Sequence, residues 1–370
     1  MRCPNVVSGR LQIDLTALAH NYAVLHRGKP ETLAAVVKAD AYGLGANKVA
    51  ETLWGCGCRE FFVAQVAEGE RLRAKLPAAE IYVLDGVTQH SMASLQKYRL
   101  RPVLNSVEQC ALWGPSGLPA ALQLDSGMAR LGLSAEAVMP AIVQYAPKVQ
   151  MLLSHFACAD EVGHAFNATQ MHAVMAVFRQ LQAQIPDVRL SLSNSAASAS
   201  GLVPASDVAH LGRPGIGLYG GNPMSSGCAA DLGLRPVANL YGQVLQVREL
   251  SAGMPVGYGG TYRAPANERI MIVGVGYADG VPRLLSGCGH VFAQGVRCPI
   301  RGRVSMDMLH ADATAIDVAV GDWVEIMGAH ISLDEVAKHA QTIGYEVLTG
   351  LGKRLHRVYL NDSDTNIAST

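Results

Sequence analysis

No stretch of the chain reaches the roughly 18 consecutive apolar residues that a membrane-spanning helix needs, so a transmembrane reading is disfavoured. Neither sign of charge dominates, with 30 Lys and Arg against 30 Asp and Glu. A partner held through a phosphate backbone calls for a basic face, so a nucleic-acid role is disfavoured too. There is no block of like charges to make an interaction tail and no low-complexity segment. The opening "MRCPNVVSGRLQIDL" has no apolar centre, so no secretion signal is expected. The eight cysteines are scattered, and the only close pair, Cys56 and Cys58, has no second pair near it. That argues against a zinc site and for reduced thiols in the cytosol. The polar end "NDSDTNIAST" is expected to fray.

What is present is alternation. The 370 residues exceed one average domain, and two are expected. From residue 32, short β-rich runs ("TLAAVVK", "EFFVAQV", "IYVLDG", "RPVLNS", "AALQLD", "VQMLLSHF", "RLSLSN", "HLGRPG") are separated by helical stretches. Strand–helix alternation implies parallel pairing, and eight strands of it imply a (β/α)8 TIM-type barrel. After about residue 230 the β-rich runs lose their intervening helices, as in "NLYGQVLQVREL" and "ERIMIVGVGYADG", which reads as a mainly antiparallel β domain. The expected division is a barrel over 1–230 and a β-rich domain over 231–370, with residues 1–20 free to pair into the second. One C-terminal helix, "SLDEVAKHAQTIGY", is expected to open on a capping box of Ser332 and Glu335.

In a barrel, chemistry collects where strands end at the C-terminal face. Those ends are Lys38, Asp125, His155, Asn194 and Arg213, each polar after an apolar run. Lys38 has two readings. It can snorkel, with its stem packed and its ammonium in water, or its amine can be desolvated and form a Schiff base with a carbonyl. The following "ADAYGLG" favours the second, because its glycines allow close backbone approach and Tyr42 stands at the same mouth. His155 can be a satisfied core histidine or a platform. Asn194 and Ser195 can cap a helix or present its N-terminus to a phosphate. The turn after Arg213, "GRPGIGLYGG", offers a second anion nest. A lysine, two anion corners and a histidine platform together point to a phosphorylated aldehyde, pyridoxal 5'-phosphate.

"AVVKADAYGLGA" resembles the cofactor-lysine motif of the alanine racemases, and "LDSGMARLGL", "SHFACADE", "SNSAAS", "GRPGIGLYGGNP", "VGYGGTY", "VGYADGVPR", "GRVSMDM" and "TIGYEVL" resemble that family's further blocks, in order, over nearly the whole chain. The resemblance implies interconversion of L- and D-alanine. It implies that Lys38 carries pyridoxal phosphate and is one base, with Tyr258 the base on the opposite face. It places Tyr42, Asn194, Ser195, Gly215, Ile216 and Tyr345 around the cofactor, mostly at its phosphate. His155 lies beside the ring, Arg213 at the ring nitrogen and Arg130 near the phenolic oxygen. Arg130, Tyr277 and Met306 fall at the amino-acid substrate. It implies a homodimer with shared sites, Tyr258 and Met306 serving the other chain.

The chemistry agrees with these roles. Racemisation removes a proton from one face and returns one to the other, so two bases suit it. An amine and a phenol both have ordinary pKa values of about 10, and both must be lowered to act near neutrality. Desolvation of Lys38 and a cation such as Arg130 push that way. An arginine keeps its proton, so a pyridine nitrogen facing Arg213 stays unprotonated. One departure stands out. Many family members have a carbamylated lysine where this chain has Gln123, which cannot be carbamylated. Arg130 then needs either a direct bond from the Gln123 amide oxygen or a small anion between them. Ser305 also replaces a common cysteine. A broader-specificity racemase acting on serine or lysine, a decarboxylase and a non-catalytic cofactor carrier are the competing readings. The last leaves the β domain and Tyr258 without a use.

Overall fold

The computed structural model describes residues 8–26, 32–202, 204 and 208–361. The ends "MRCPNVV" and the tail from residue 362, and Val203 of the helical run "SAASASGLV", lie outside the described residues. The chain divides into two compact units. One comprises residues 19–218 and 222–234, and the other residues up to 18, 219–221 and those from 235 onward.

The first unit is the expected barrel. Parallel strands Ala35–Val36, Glu60–Val63, Glu80–Val83, Arg101–Leu104, Pro119–Gln123, Lys148–Leu153 and Arg189–Ser191 lie side by side in chain order. Leu211–Gly212 pairs with Thr32–Leu33 on one side, and His210 bridges to Leu190 on the other, which closes the ring. Its interior is filled by Ala34, Val36, Phe62, Tyr82, Val103, Ala121, Met151, Leu153 and Leu211, with the Phe62 and Tyr82 rings stacked at 4.7 Å. At the N-terminal end Arg189 forks onto Glu60 with two bonds of 2.7 Å, and Arg101 pairs with Glu80. The Tyr82 hydroxyl lies within 3.1 Å of Glu60 and 3.3 Å of Glu80. These polar groups satisfy one another, so that end reads as structural.

The strands are shorter than the apolar runs. Pairing stops at Val36, Gln123, Leu153, Ser191 and Gly212, so Lys38, Asp125, His155, Asn194 and Arg213 stand one to three residues beyond it, on the loops at the barrel mouth. The helix Ala165–Gln184 opens on His164 as its N-cap, which accepts from the Phe166 N–H at 3.2 Å.

In the second unit the strand order is Val296–Pro299, His290–Ala293, Trp323–Met327, Ala238–Leu250, Gly9–Asp14, His356–Leu360. The 13-residue strand Ala238–Leu250 also pairs with Glu268–Val273, which pairs with Leu309–Asp312. All pairs are antiparallel except Gly9–Asp14 with His356–Leu360. Gly9–Asp14 alternates buried and half-buried, with Leu11 and Ile13 fully inside. The single expected C-terminal helix is two, Leu333–His339 and Gly344–Thr349. Gln341 takes a left-handed φ of 53°, which ends the first. The capping box is half formed. Ser332 Oγ accepts from the Glu335 N–H at 3.1 Å, but the Glu335 carboxylate pairs with Arg297 instead of reaching back.

Candidate active site

Lys38 leaves the barrel on a left-handed turn. Ala39, Asp40, Ala41 and Tyr42 have φ between 51° and 54°. A residue with a Cβ is disfavoured there by about 1–2 kcal/mol, so four in succession need outside support. Glu68, in the first turn of the helix Val66–Lys75, supplies part of it: one carboxylate oxygen accepts from the Ala39 N–H at 2.6 Å, the other from Ala64 and Gln65 at 2.8 and 3.1 Å. Asp40 accepts from the Ala46 N–H at 2.8 Å and ties the turn to the next helix. Burial, then the charge of Arg130, hold the Lys38 amine below its ordinary range, while Glu68 and Asp85 oppose them.

Arg213 is buried and no carboxylate among the described residues bonds it. Its guanidinium donates to Ser191 Oγ and, at 2.7 Å, to the Ser154 carbonyl, and it lies 5.8 Å from the Phe62 ring centre. Burial and Arg130 press it down to about 9, still charged at neutral pH. His155 feels burial first and then Arg213, Arg130 and Lys38, which together push it down to about 3. It is therefore neutral. Asn194 donates to His155 Nε2 at 3.4 Å, which leaves the ring proton on Nδ1.

Asn194 also caps the helix Ser195–Ser200, accepting from the Ala197 N–H at 3.0 Å. Ser195 Oγ accepts from the Gly215 and Gly217 N–H groups at 2.7 and 3.2 Å, so its own hydrogen is left to donate elsewhere. A Cβ on Gly215 would stand 2.4 Å from the Tyr42 hydroxyl, so only glycine allows that approach. Ile216 opens the short turn Ile216–Tyr219 directly after it.

Arg130 is exposed, at the end of a loop shaped by Asp125. Asp125, read from sequence as a mouth residue, turns its carboxylate onto its own loop and accepts from Gly127, Met128 and Ala129 at 2.9, 2.9 and 3.1 Å. Gln123 does not bond Arg130. Its amide nitrogen donates to the Leu131 carbonyl at 3.2 Å, so the direct link expected from sequence is replaced by one through the backbone next to Arg130. Glu68, Ser154 and Ser191 escaped the sequence reading. Only Glu68 left a signal there, as a carboxylate at the third position of a helix.

The other sequence-derived residues lie in the second unit. Tyr258 stands on the turn Tyr258–Gly260 between the paired strands Pro255–Val256 and Tyr262–Arg263 and is 72% exposed. Tyr277 and Met306 are drawn together by two backbone bonds of 3.0 Å, Tyr277 N–H to the Ser305 carbonyl and Ala278 N–H to the Met306 carbonyl. Asp279 and Asp307 share Arg354, which braces both loops. Tyr345 lies on the helix Gly344–Thr349, and the loop after it bonds to the Tyr277 turn through Gly352 N–H and the Asp279 carbonyl at 2.9 Å.

The barrel mouth thus gathers Lys38, Arg130 and Arg213, each repelling another, around a neutral histidine, with a serine hydroxyl and a glycine cradle beside them. A buried arginine without a carboxylate and a lowered lysine amine are what an anionic aldehyde needs, so these residues fit pyridoxal phosphate. Among the described residues no cluster of His, Cys, Asp and Glu could hold a metal, and no helix is long and apolar enough to cross a membrane.

A closed parallel barrel with this mouth, followed by an antiparallel β unit, defines a class of lysine-bearing barrel enzymes. The model of the alanine racemase N-terminal domain matches residues 13–223, and that of the C-terminal domain residues 237–359. Over 95% of its length the chain is 42% identical to a catabolic alanine racemase of Agrobacterium fabrum, covering 92% of that protein. It is 41% identical to an alanine racemase of Brucella suis, again over 95% of the chain and covering 93% of that protein. The crystal structure of an alanine racemase from Bartonella henselae with covalently bound pyridoxal phosphate superposes with a TM-score of 0.86 at 36% identity, over 96% of this chain and 100% of that one. That of a biosynthetic alanine racemase from Pseudomonas aeruginosa gives 0.87 at 38%, with the same coverage. The chain belongs to the alanine racemase family.

Proposed function

We propose that this chain interconverts L- and D-alanine with pyridoxal phosphate bound at Lys38. The observation that carries the reading is the Lys38 amine, lowered by burial and Arg130 and presented by a braced left-handed turn beside Arg213 and His155. When bound, pyridoxal phosphate supplies a carbonyl for an amine to join and a ring that draws electrons from the α-carbon. The chain's own groups do the rest. The Ser195 hydroxyl, the Gly215 and Ile216 turn, Tyr42 and Tyr345 hold the phosphate, with Asn194 fixing the Ser195 helix. His155 packs its uncharged ring beside the pyridine. Arg213 would donate to the ring nitrogen and, because a guanidinium keeps its proton, would leave that nitrogen unprotonated and the ring a weaker electron sink. Arg130 stands by the phenolic oxygen and the substrate carboxylate.

Lys38 accepts or returns the α-proton on one face and Tyr258 on the other. Tyr277 and the Met306 N–H receive the substrate. The exposure of Tyr258 and of Met306, 72% and 52%, suits groups that complete a partner chain's site, and the assembly we infer is a homodimer. The seven described cysteines are free, in keeping with a cytoplasmic setting.

The test follows L-alanine by loss of optical rotation, with serine and lysine as comparison substrates, and then reduces the protein with borohydride and maps the pyridoxyl group. Racemisation of alanine above the others, with the label on Lys38, is expected. Label on another lysine, or serine or lysine turning over faster than alanine, would overturn the assignment.

A further inference from the structure

Gln170 lies inside the helix Ala165–Gln184, fully shielded from water. Its amide is fully engaged with the segments that build the barrel mouth. The amide oxygen accepts from the Ala157 N–H at 2.9 Å. The amide nitrogen donates twice, to the His155 carbonyl and to Ser126 Oγ, both at 3.0 Å. Ser126 Oγ meets Ser154 Oγ at 2.8 Å, and Ser154 Oγ donates to the Leu124 carbonyl at 2.8 Å. The Ser154 carbonyl in turn accepts from Arg213 at 2.7 Å.

With the last donor fixed, the directions of the others follow. Gln170 gives a hydrogen to Ser126, Ser126 to Ser154 and Ser154 to the Leu124 carbonyl, each hydrogen used once. This chain joins three loops. One carries His155, one runs from Leu124 to Arg130, and the third is reached through Arg213. All three of those side chains bear on the cofactor ring in the function proposed above, on which this inference rests. A buried network with every donor placed holds one geometry, and a half-satisfied one does not.

We propose that Gln170 is a positioning residue, whose amide sets the placement of His155 and, through Ser126 and Ser154, of the Arg130 loop and Arg213 around the cofactor. The residue must donate twice and accept once, which glutamine alone among similar shapes does at neutral pH. A carboxylate at 170 would face the His155 carbonyl and Ser126 Oγ with no hydrogen to give. Burial raises the pKa of such an acid, and its protonated form regains one donor.

The test uses the holoenzymes of the parent, Gln170→Leu, Gln170→Glu and Ser126→Ala, with Gln182→Leu as a control on the same helix. It measures kcat and KM for L-alanine, visible circular dichroism per bound chromophore, and Tm. Gln170→Leu is expected to lose about tenfold or more in kcat with KM within about threefold, since misplacement near 1 Å costs up to about a hundredfold. The visible dichroism should change with it, reporting an altered ring setting. Gln170→Glu should be similarly impaired at pH 9 and recover relative to the parent as pH falls towards 6. A purely structural role would move Tm alone. If Gln170→Leu does not fold, Ser126→Ala, which removes one oxygen, carries the same expectations for kcat and dichroism. Parent-like kcat and dichroism in Gln170→Glu at pH 9 and in Ser126→Ala overturn the proposal. A parent that neither binds pyridoxal phosphate nor racemises alanine overturns the functional reading beneath it instead.

Discussion

The carboxylate of Glu68 accepts the Ala39 N–H at 2.6 Å, and through that bond a helix two residues past one strand steadies the turn that follows Lys38 on another. The same carboxylate takes the Ala64 and Gln65 N–H groups. Glu68→Ala leaves all three without this acceptor. We expect a loss of about 1 kcal/mol in urea unfolding, the usual net worth of hydrogen bonds at donors that water can reach once the carboxylate is gone. Activity should fall further than for Glu70→Ala on the same helix, because the freed turn carries Lys38. Glu68 also raises the Lys38 amine, so its removal lowers that amine further. Equal effects of the two variants on stability and rate would show that Glu68 is an ordinary helix-start acid.

Tyr258 should govern one face of the α-carbon only. Tyr258→Phe is expected to slow solvent-deuterium uptake into one enantiomer of alanine more than into the other, with the equilibrium between them unchanged. Equal loss from both isomers would refute a two-base division of labour. The homodimer proposed above gives a second test. Mixed and reassociated subunits of Tyr258→Phe and Lys38→Ala should recover activity approaching about a quarter of the parent, because random pairing restores one site in half the dimers. No recovery on mixing, with exchange of subunits demonstrated, would place Tyr258 in its own chain's site.

His155 gives the fold an acid limb. Its pKa falls from 6.5 to about 3 in the folded chain, through burial and three neighbouring cations. Between those values the unfolded chain binds a proton that the folded chain does not. Stability therefore rises with pH across that window and is lost as pH drops from 6.5 towards 3, by up to about 1.4 kcal/mol per pH unit from this group. His155→Gln removes the titration. The urea midpoint of the variant should fall less steeply than the parent's between pH 6.5 and 4. Parallel slopes would assign the acid sensitivity to other groups.

The barrel was legible because periodicity reports burial. Each parallel strand is covered on both faces and reads as an unbroken apolar run, and each crossover helix keeps a polar side. The loops were less legible. Gly43 and Gly45 take the positive φ that suits glycine, but so do the four residues before them, Ala39 to Tyr42. Nothing local favours that conformation in residues with a Cβ. It is imposed by Glu68, 29 positions away, and by Asp40 on Ala46. Gln341 breaks a helical pattern in the same way. Asp125 shows the converse error. A carboxylate at a strand end looks like a mouth group, but a loop of exposed N–H groups directly after it claims the oxygen first. Which partner a polar side chain takes is decided by distances of a few tenths of an ångström, which spacing in the chain does not encode.

Gln123 shows that limit in a way that can be measured. Its amide nitrogen donates to the Leu131 carbonyl at 3.2 Å, and Leu131 follows Arg130 directly. Gln123 is buried while Leu131 is exposed, so the bond lies half-buried at the edge of the loop. Gln123 therefore acts on Arg130 through the backbone of the next residue, at the Leu131–Gly132 peptide, rather than by touching the guanidinium. Gln123→Ala frees that carbonyl and should let the Arg130 loop shift. We expect kcat to drop about tenfold, an order fitting a sub-ångström misplacement, while affinity for pyridoxal phosphate stays close to the parent's, since Lys38, Ser195 and Arg213 are untouched. The parent has no amine at 123 and should be indifferent to added bicarbonate. Gln123→Lys restores an amine there, and its activity should become bicarbonate-dependent if a carbamate can take the place of the amide. Steady-state rates for the three proteins across a bicarbonate titration decide the matter. A parent that speeds up with bicarbonate, or a Gln123→Ala variant with unchanged kcat, would show that Arg130 is held by something other than this backbone link.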